Sequence, residues 1–436
     1  MKNTTIITAM LALFAAISVS PAVGSINSPV TSTTLDNGLK VLVQEDHSTD
    51  LVAVDIWIKA GSIDETAATN GVSHFIEHLL FKATEKRNPG QVDMEIESIG
   101  ASLEAKTGKD WTHCFTVVAR RYLDKSLDIM ADVVTGPKFD PGDIEHERRI
   151  IMDEIARKES NPTSVLQDLL YSAAYKSHPY GMPVEGTKDS VSKVTRETIT
   201  EFYNRLYVPE NMAVVLVGDI SPDEALTAVK KAFVGFRKKP LIESPIAQEP
   251  VRTEQVRKTV HSNTKLAYLG IAFPAPSIKN RPDVYAMDLL MSYLGLGYQS
   301  WLSTELKSNQ RLVVDASSDF LTQRDPGLAI LTISSEPDKV TKAEEAIFSK
   351  IADLRTNKIE ETDLARARRS LEGGFAFDTE TFAGRASTIG FYEATDKFDL
   401  AQSYIENIRK VTPDDVLFLA KKYLDPNKAV VVTLGP

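Results

Sequence analysis

One pentapeptide constrains this 436-residue chain more than any other feature, namely His74-Phe75-Ile76-Glu77-His78. On a helix, residues four apart lie on one face, so the two imidazoles would be neighbours with the Glu77 carboxylate beside them. Two neutral imidazoles so placed can bind one Zn²⁺, and a carboxylate between them can take a proton from water as a general base. The pentapeptide therefore predicts a catalytic zinc site. The alternative interpretation is a solvated polar face of a helix.

The residues around the pentapeptide have the period of a helix. Apolar side chains recur at i, i+3, i+4, i+7 and i+8, at Val72, Phe75, Ile76, Leu79 and Leu80. A helix with this pattern buries the apolar stripe in a core. His74 and His78 fall on the opposite side of the stripe. This placement favours a metal-binding pair over a histidine that is simply buried in the core.

A hydrolytic zinc needs a third protein ligand. Candidate donors follow the helix start at Asp140-Pro141, at Glu145, His146, Glu147, Glu154 and Glu159. Glu147 and Glu154 are seven residues apart and share one face after two turns, and isoleucines border that face. An acid against a packed surface needs a partner, and a metal with its imidazoles would be one. This spacing alone does not choose between the two acids.

With a glutamate 76 positions after His78, the pentapeptide resembles the inverted zinc motif of the pitrilysin/insulinase family of peptidases. Within that family, the chain is similar to the two-domain branch that includes mitochondrial processing peptidase and its bacterial relatives. The family places a Glu-x6-Glu pair on a second helix, and the second Glu binds zinc. The resemblance implies that His74, His78 and Glu154 hold one Zn²⁺ per chain. It further implies that Glu77 is the general base and that Glu147 orients a ligand or supports the water.

The resemblance also implies a catalytic contribution from the second half of the chain. Arg385 and Tyr392 are seven residues apart, a spacing at which family enzymes use an Arg and a Tyr to hold substrate carbonyls and stabilise the oxyanion. A fixed cation and a phenol hydroxyl can both stabilise charge that develops in a transition state. The alternative interpretation is a pair on a helix surface.

An open strand is the predicted site of substrate binding. The candidate is the segment 101–107, with Leu103, Glu104, Ala105 and Thr107 as contacts, to which an extended peptide would add as a further strand. The family often has Asn where this chain has Glu104. An ionised carboxylate cannot donate a hydrogen bond, which puts that side-chain contact in doubt but leaves the backbone pairing. The alternative is an ordinary strand with no ligand.

Specificity for arginine is not predicted. Processing peptidases that select Arg near the cut use acids shortly after the third ligand, and the corresponding positions here are Ser164 and Asp168. One of the two acids is therefore missing. Edge-strand binding in a closed chamber favours short or unfolded peptides over folded proteins.

The amino terminus and the composition limit the location and the partners. Residues 1–24 have the pattern of a secretory signal, with Lys2, an apolar stretch and small residues before Ser25. An uncleaved anchor is the alternative. The mature protein is expected to be periplasmic or secreted and to have no membrane span. The net charge of −10 and the lack of a basic patch argue against nucleic acid as a partner.

The chain is predicted to contain two homologous domains. Val194, Pro209 and Gly218 recur as Val411, Pro426 and Gly435 at a constant offset of 217. We expect an α+β fold in which each domain has a mainly antiparallel sheet packed with helices. The expected limits are 25–236 for the zinc-binding catalytic domain, 237–250 for a linker and 251–436 for the domain without a zinc motif.

The sequence therefore predicts a zinc-dependent endopeptidase that hydrolyses short or unfolded peptides. One alternative is a non-catalytic, peptide-binding or structural subunit, and another is a zinc hydrolase that acts on cell-wall peptides. The resemblance implies a dimer. Because this chain has both the zinc motif and the Arg–Tyr pair, a homodimer with sites completed across the interface is favoured, with a heterodimer containing a zinc-less homologue as the alternative.

Overall fold

The structure is a computed structural model that describes residue 26 and residues 28–436. The predicted secretory signal, residues 1–24, lies outside the described residues. In the part of the chain that is described, no helix has the length and apolar character needed to cross a bilayer.

The first half of the chain forms a six-stranded sheet. Its strands are β1 (Thr31–Thr34), β2 (Lys40–Glu45), β3 (Leu51–Ile58), β4 (Glu104–Thr107), β5 (Thr112–Ala119) and β6 (Met212–Gly218). They lie in the order β1-β2-β6-β3-β5-β4, in which β2 and β6 are parallel and every other pair is antiparallel. Strand β4 is therefore an edge of the sheet.

The second half forms a five-stranded sheet with the same connectivity. Its strands are β7 (Val256–His261), β8 (Ala267–Pro274), β9 (Asp315–Phe320), β10 (Leu328–Ser335) and β11 (Val430–Gly435). The order β7-β11-β8-β10-β9 repeats β2-β6-β3-β5-β4, and again only the first pair is parallel. The predicted α+β class and the internal repeat are both confirmed.

Helices cover both sheets. In the first half they are α1 (Val72–Leu80), α2 (Gln91–Ser98), α3 (Leu123–Thr135), α4 (Pro141–Glu159), α5 (Pro162–Ala174), α6 (Lys188–Lys193), α7 (Arg196–Leu206) and α8 (Pro222–Ala232). In the second half they are α9 (Arg281–Gly295), α10 (Val340–Leu354), α11 (Glu361–Asp378), α12 (Phe382–Thr395), α13 (Asp399–Lys410) and α14 (Pro413–Tyr423), with a π-helix at Leu302–Asn309. Helix α14 begins 217 residues after α7, which matches the offset of the repeat.

The core of the first half joins the two helices that carry the predicted ligands. The apolar stripe predicted for α1 is confirmed, because all five of its residues are buried in this core. Ile144, Ile151 and Ile155 of α4 are buried in the same cluster, together with the inward-facing residues of β3. Helices α1 and α4 therefore pack side by side on one face of the first sheet.

Each half of the chain places one helix on the sheet of the other half. Leu166 and Leu170 of α5 are buried against β8, β10 and β11 of the second sheet. In return, Ala386 and Ile389 of α12 are buried against the outer face of the first sheet, where Trp57 of β3 lies. A Cβ added at Gly270 would come within 2.6 Å of the Leu170 Cδ1 atom, so α5 approaches the backbone of β8 closely.

Ion pairs of two buried side chains, Arg385 and Glu393, reinforce the contact of α12 with the first half. Arg385 on α12 is 1% exposed, and its Nη2 donates to Asp46 Oδ2 at 2.8 Å. On the same helix, Glu393 accepts hydrogen bonds from Lys40 at 2.8 Å and from Lys59 at 3.0 Å. Removing one partner from such a pair leaves a buried charge without compensation, which is strongly destabilising.

The segment 237–250 contains neither helix nor strand. Near its end, the Glu249 carboxylate accepts hydrogen bonds from the backbone N–H groups of Lys176, Ser177 and His178, at 2.9, 2.8 and 3.0 Å. His178 also contacts Asp325 of the second half, with 3.1 Å between Nε2 and Oδ2. The segment that starts at His178 therefore lies at the contact between the halves. We retain the domain limits 25–236, 237–250 and 251–436 as a proposal.

Arg385→Met tests the contribution of the ion pair on α12. Because the Asp46 carboxylate, only 10% exposed, would lose its partner, we expect the free energy of unfolding to fall by about 3 kcal/mol. The matched control is Arg257→Met, since Arg257 is paired with Glu344 but is 55% exposed. Thermal denaturation should show a clear decrease in midpoint for the first variant and little change for the control. Equal midpoints for the two variants would contradict a stabilising role of the buried pair.

Candidate metal centre

The amino-terminal end of α1 is held by a buried carboxylate. Glu65 is 4% exposed, and its two oxygens accept hydrogen bonds from the backbone N–H groups of Gly71 and Ser73, both at 2.8 Å. Gly71 has a φ of +95°, and a Cβ there would lie 2.8 Å from the Glu185 carbonyl oxygen. Only glycine fits this position easily. The start of the zinc-motif helix is thus fixed before its first histidine.

Three predicted ligands converge where α1 faces α4. Glu154 Oε2 lies 3.8 Å from His74 Nε2 and 3.5 Å from His78 Nε2, and the three ligand atoms all lie within 4.8 Å of one another. Ligand atoms at about 2.1 Å from a tetrahedral zinc are about 3.4 Å apart. The spacing and the two-nitrogen, one-oxygen donor set therefore fit a Zn²⁺ ion.

Glu147 orients one of these imidazoles. His78 Nδ1 donates to Glu147 Oε2 at 2.9 Å, which leaves the Nε2 lone pair directed at the ligand cluster. The other Glu147 oxygen lies 2.8 Å from Lys82 Nζ. Burial raises the pKa of Glu147, but the hydrogen bonds from Lys82 and His78 outweigh it and hold the pKa below its ordinary value. Glu147 is therefore a charged acceptor that contacts His78 and is not itself one of the three converging groups.

The environment of the cluster keeps His74 neutral and makes Glu77 a stronger base. Burial, and in second place the electrostatic effect of the neighbouring His78, lowers the pKa of His74 to about 4, so its imidazole can act as a ligand at neutral pH. Burial raises the pKa of Glu77, and the hydrogen bond from Thr107 opposes part of that shift. Glu77 Oε2 is buried and has no hydrogen-bond partner among the described residues. One carboxylate oxygen is therefore available to a bound molecule.

The predicted substrate strand runs beside α1 at the edge of the sheet. Within the segment 101–107 the strand itself is β4, which begins at Glu104, and Leu103 packs on the core just before it. Ala105 pairs with the fully buried Cys114, and Thr107 contacts Glu77, so both face α1. Because side chains alternate along a strand, Glu104 faces the opposite side of the sheet and lies away from the three ligands.

Arg385 and Tyr392 do not approach the three ligands of their own chain. Their helix, α12, packs on the face of the first sheet that is opposite α1, so the sheet separates this pair from His74 and His78. Arg385 is engaged by Asp46 and by Gln44 Oε1, the latter at 3.3 Å. Tyr392 packs among Phe391, Tyr404 and neighbouring aromatic rings. Their catalytic role stays a prediction and requires contact with a second chain.

Sequence reasoning missed three charged residues around the cluster. Glu65 precedes its helix by too many residues to match a capping pattern. Lys158 is recognised only through its ion pairs with Asp168 and Glu185, which lie on other segments. Lys82 had a usable signal, because it follows His78 by four residues and could have been placed on the same face. All three residues contact groups outside the pentapeptide His74–His78, so the pentapeptide alone does not reveal those contacts.

Glu147→Gln tests the orienting role of that carboxylate. The amide is the same size but uncharged, so we expect zinc affinity to fall by about 10- to 100-fold. Titration of the metal-free protein with zinc against a competing chelator would measure this change. Glu145→Gln is the matched control, because Glu145 lies on the same helix and is exposed. Unchanged zinc affinity in Glu147→Gln would show that the contact with His78 is incidental.

Both halves of the chain match models of one protein family. Residues 40–188 match the model described as insulinase, peptidase family M16, and residues 193–371 match the model described as the M16 inactive domain. The chain is 30% identical over 415 residues to an uncharacterised zinc protease of Mycobacterium leprae, covering 93% of this chain and 92% of the relative. It is 27% identical over 418 residues to a probable mitochondrial processing peptidase beta subunit of Arabidopsis thaliana, covering 93% and 78%.

Solved structures share the two-domain fold. A protease from Helicobacter pylori superposes with a TM-score of 0.90 at 24% identity, over 94% of this chain and all of that one. An M16 inactive domain protein from Pseudomonas fluorescens gives a TM-score of 0.85 at 20% identity, over 93% of this chain and 98% of that one. Because matches to both family models span most of the chain and the relatives share nearly all of its length, the chain belongs to the M16, or insulinase, family of zinc proteases.

Proposed function

We propose that the protein is a zinc-dependent endopeptidase that cleaves short or unfolded peptides. The observation that supports this most directly is the convergence of His74, His78 and Glu154, with Glu77 on the same helix. A bound zinc would supply a Lewis acid that polarises a peptide carbonyl and acidifies water. The remaining chemistry is assigned to side chains of the protein.

Glu77 is the proposed general base and acid. Its free oxygen, Oε2, takes a proton from the attacking water as the water oxygen bonds to the carbonyl carbon. When the carbon–nitrogen bond breaks, Glu77 returns that proton to the leaving amine. Thr107 orients the carboxylate through its hydrogen bond, and Glu147 keeps the His78 ring in place.

Strand β4 is the proposed platform for the substrate. It is the edge strand next to α1, so a peptide that pairs with it would pass the ligand cluster in an extended conformation. Ala105 and Thr107 would face the same side as the reaction, and Leu103 would flank it. A single added strand requires an unfolded segment, which supports the assignment to short or unfolded peptides.

A dimer is the proposed assembly. Within one chain, α12 lies on the far face of the first sheet, so Arg385 and Tyr392 could assist a reaction only in another subunit. Arg385 is also paired with Asp46, and this ion pair would have to break before Arg385 could take that role. We propose a homodimer, with a zinc-less homologue as the alternative partner.

Export to the periplasm is proposed from the pattern of residues 1–24.

Glu77→Gln tests the proposed chemistry. The amide cannot accept the proton, so we expect kcat on a quenched fluorescent peptide to fall by about 10²- to 10⁴-fold. Zinc content should stay the same, because Glu77 is not one of the three converging ligands. The exposed Glu97→Gln is a control for a surface charge change. A zinc-loaded Glu77→Gln variant with full activity would rule out this mechanism.

A further inference from the structure

A cavity of about 610 Å³ opens directly beside the proposed metal ligands. His74 and Glu154 form one part of its wall, and the side chains of α5 form another. A peptide cleaved at the ligand cluster would therefore place a side chain near the cleaved bond in this cavity. The polar groups of the cavity decide which side chain fits.

An internal ion pair occupies the acidic part of this cavity. Lys158, near the end of α4, donates to Glu185 Oε2 at 2.8 Å and to Asp168 Oδ1 at 3.0 Å. The two acids come from separate elements, since Asp168 lies on α5 and Glu185 follows the segment 179–181. The Lys158 side chain is only 26% exposed, so the amine sits between the carboxylates and largely away from solvent.

The other cations of the cavity form direct contacts with different groups. Lys109 Nζ donates to the carbonyl oxygens of Tyr180 and Met182, both at 2.9 Å. Arg157 is 69% exposed, and its nearest acid is Glu154, at 3.8 Å. Lys158 is therefore the described cation that forms direct ion pairs with Asp168 and Glu185.

Resting on the proposed peptidase function, we propose that Lys158 determines specificity at this subsite. Its amine takes the place that a basic substrate side chain would take between Asp168 and Glu185. The subsite therefore selects peptides with an uncharged side chain and discriminates against Arg and Lys.

The discrimination against Arg and Lys follows from the covalent attachment of Lys158 to the protein. A substrate cation would have to break charge-assisted hydrogen bonds of Lys158 before it could form its own. Lys158 is covalently attached, so its amine is always at a high local concentration, whereas the substrate must lose its freedom on binding. A displaced Lys158 would also stay in the cavity and repel the incoming cation. Removing the Lys158 charge leaves both carboxylates without their direct ion pair and shifts the preference toward Arg and Lys.

The test compares Lys158→Gln with the intact protein on a set of quenched fluorescent peptides. One arginine, or an alanine in its place, is moved through each position around the cleavage site. We expect the ratio of kcat/KM for the arginine peptide to that for the alanine peptide to rise by about 10-fold or more at one position. Lys158→Arg keeps the charge and should retain the original ratio. Lys188→Gln is the control, since Lys188 pairs with the exposed Glu159 outside the cavity.

Binding gives a readout that does not depend on turnover. In the Glu77→Gln background, fluorescence anisotropy should show tighter binding of the arginine peptide, relative to the alanine peptide, when Lys158→Gln is added. Circular dichroism of each variant confirms that it is folded. If Lys158→Gln, or a second variant Lys158→Met, is folded and keeps the original ratios in both assays, the proposal is wrong. If no variant cleaves any peptide, the proposed function fails, and the binding ratios still decide the role of Lys158.

Discussion

The packing of α1 against α4 determines the geometry of the candidate metal centre, because it brings together side chains that are 76 positions apart in the chain. Apolar residues of both helices share one buried core with β3, and that packing directs His74, His78 and Glu154 to a common point. Buried polar groups then set the detail. Glu65 holds the start of α1, and Glu147 holds the ring of His78. Each carboxylate accepts a hydrogen bond from the motif helix, so that helix is fixed at its beginning and at its second histidine.

The half without a zinc motif is part of the same construction. Helix α5 follows α4 after a short turn and is buried against the second sheet. That contact anchors the end of α4, where Glu154 lies, and it also positions the wall of the cavity beside the ligands. The reciprocal helix, α12, fastens the second half to the outer face of the first sheet. Each half therefore packs one helix on the sheet of the other half. Through α5, the second half helps to position the site without contributing a metal ligand.

The sequence predicted those features that depend on local spacing. The stripe on α1 and the face shared by Glu147 and Glu154 both follow from the helical period, and the 217-residue offset predicted the second copy of the fold. The family resemblance, rather than the spacing, chose Glu154 over Glu147 as the ligand. Features that depend on the arrangement of distant elements were not predictable. No pattern in the sequence indicates that Arg385 is buried against Asp46, or that Lys158 lies between Asp168 and Glu185.

Zinc K-edge X-ray absorption on the purified protein, combined with metal analysis, tests the central claim most directly. The account predicts one zinc per chain, with scattering from two imidazoles and a carboxylate oxygen at about 2.0–2.2 Å. A Glu154→Ala variant should bind zinc more weakly, because it lacks one of the three protein ligands. Unchanged zinc affinity in that variant, or a wild-type protein that binds no zinc, would contradict a metal centre built by the packing of α1 on α4.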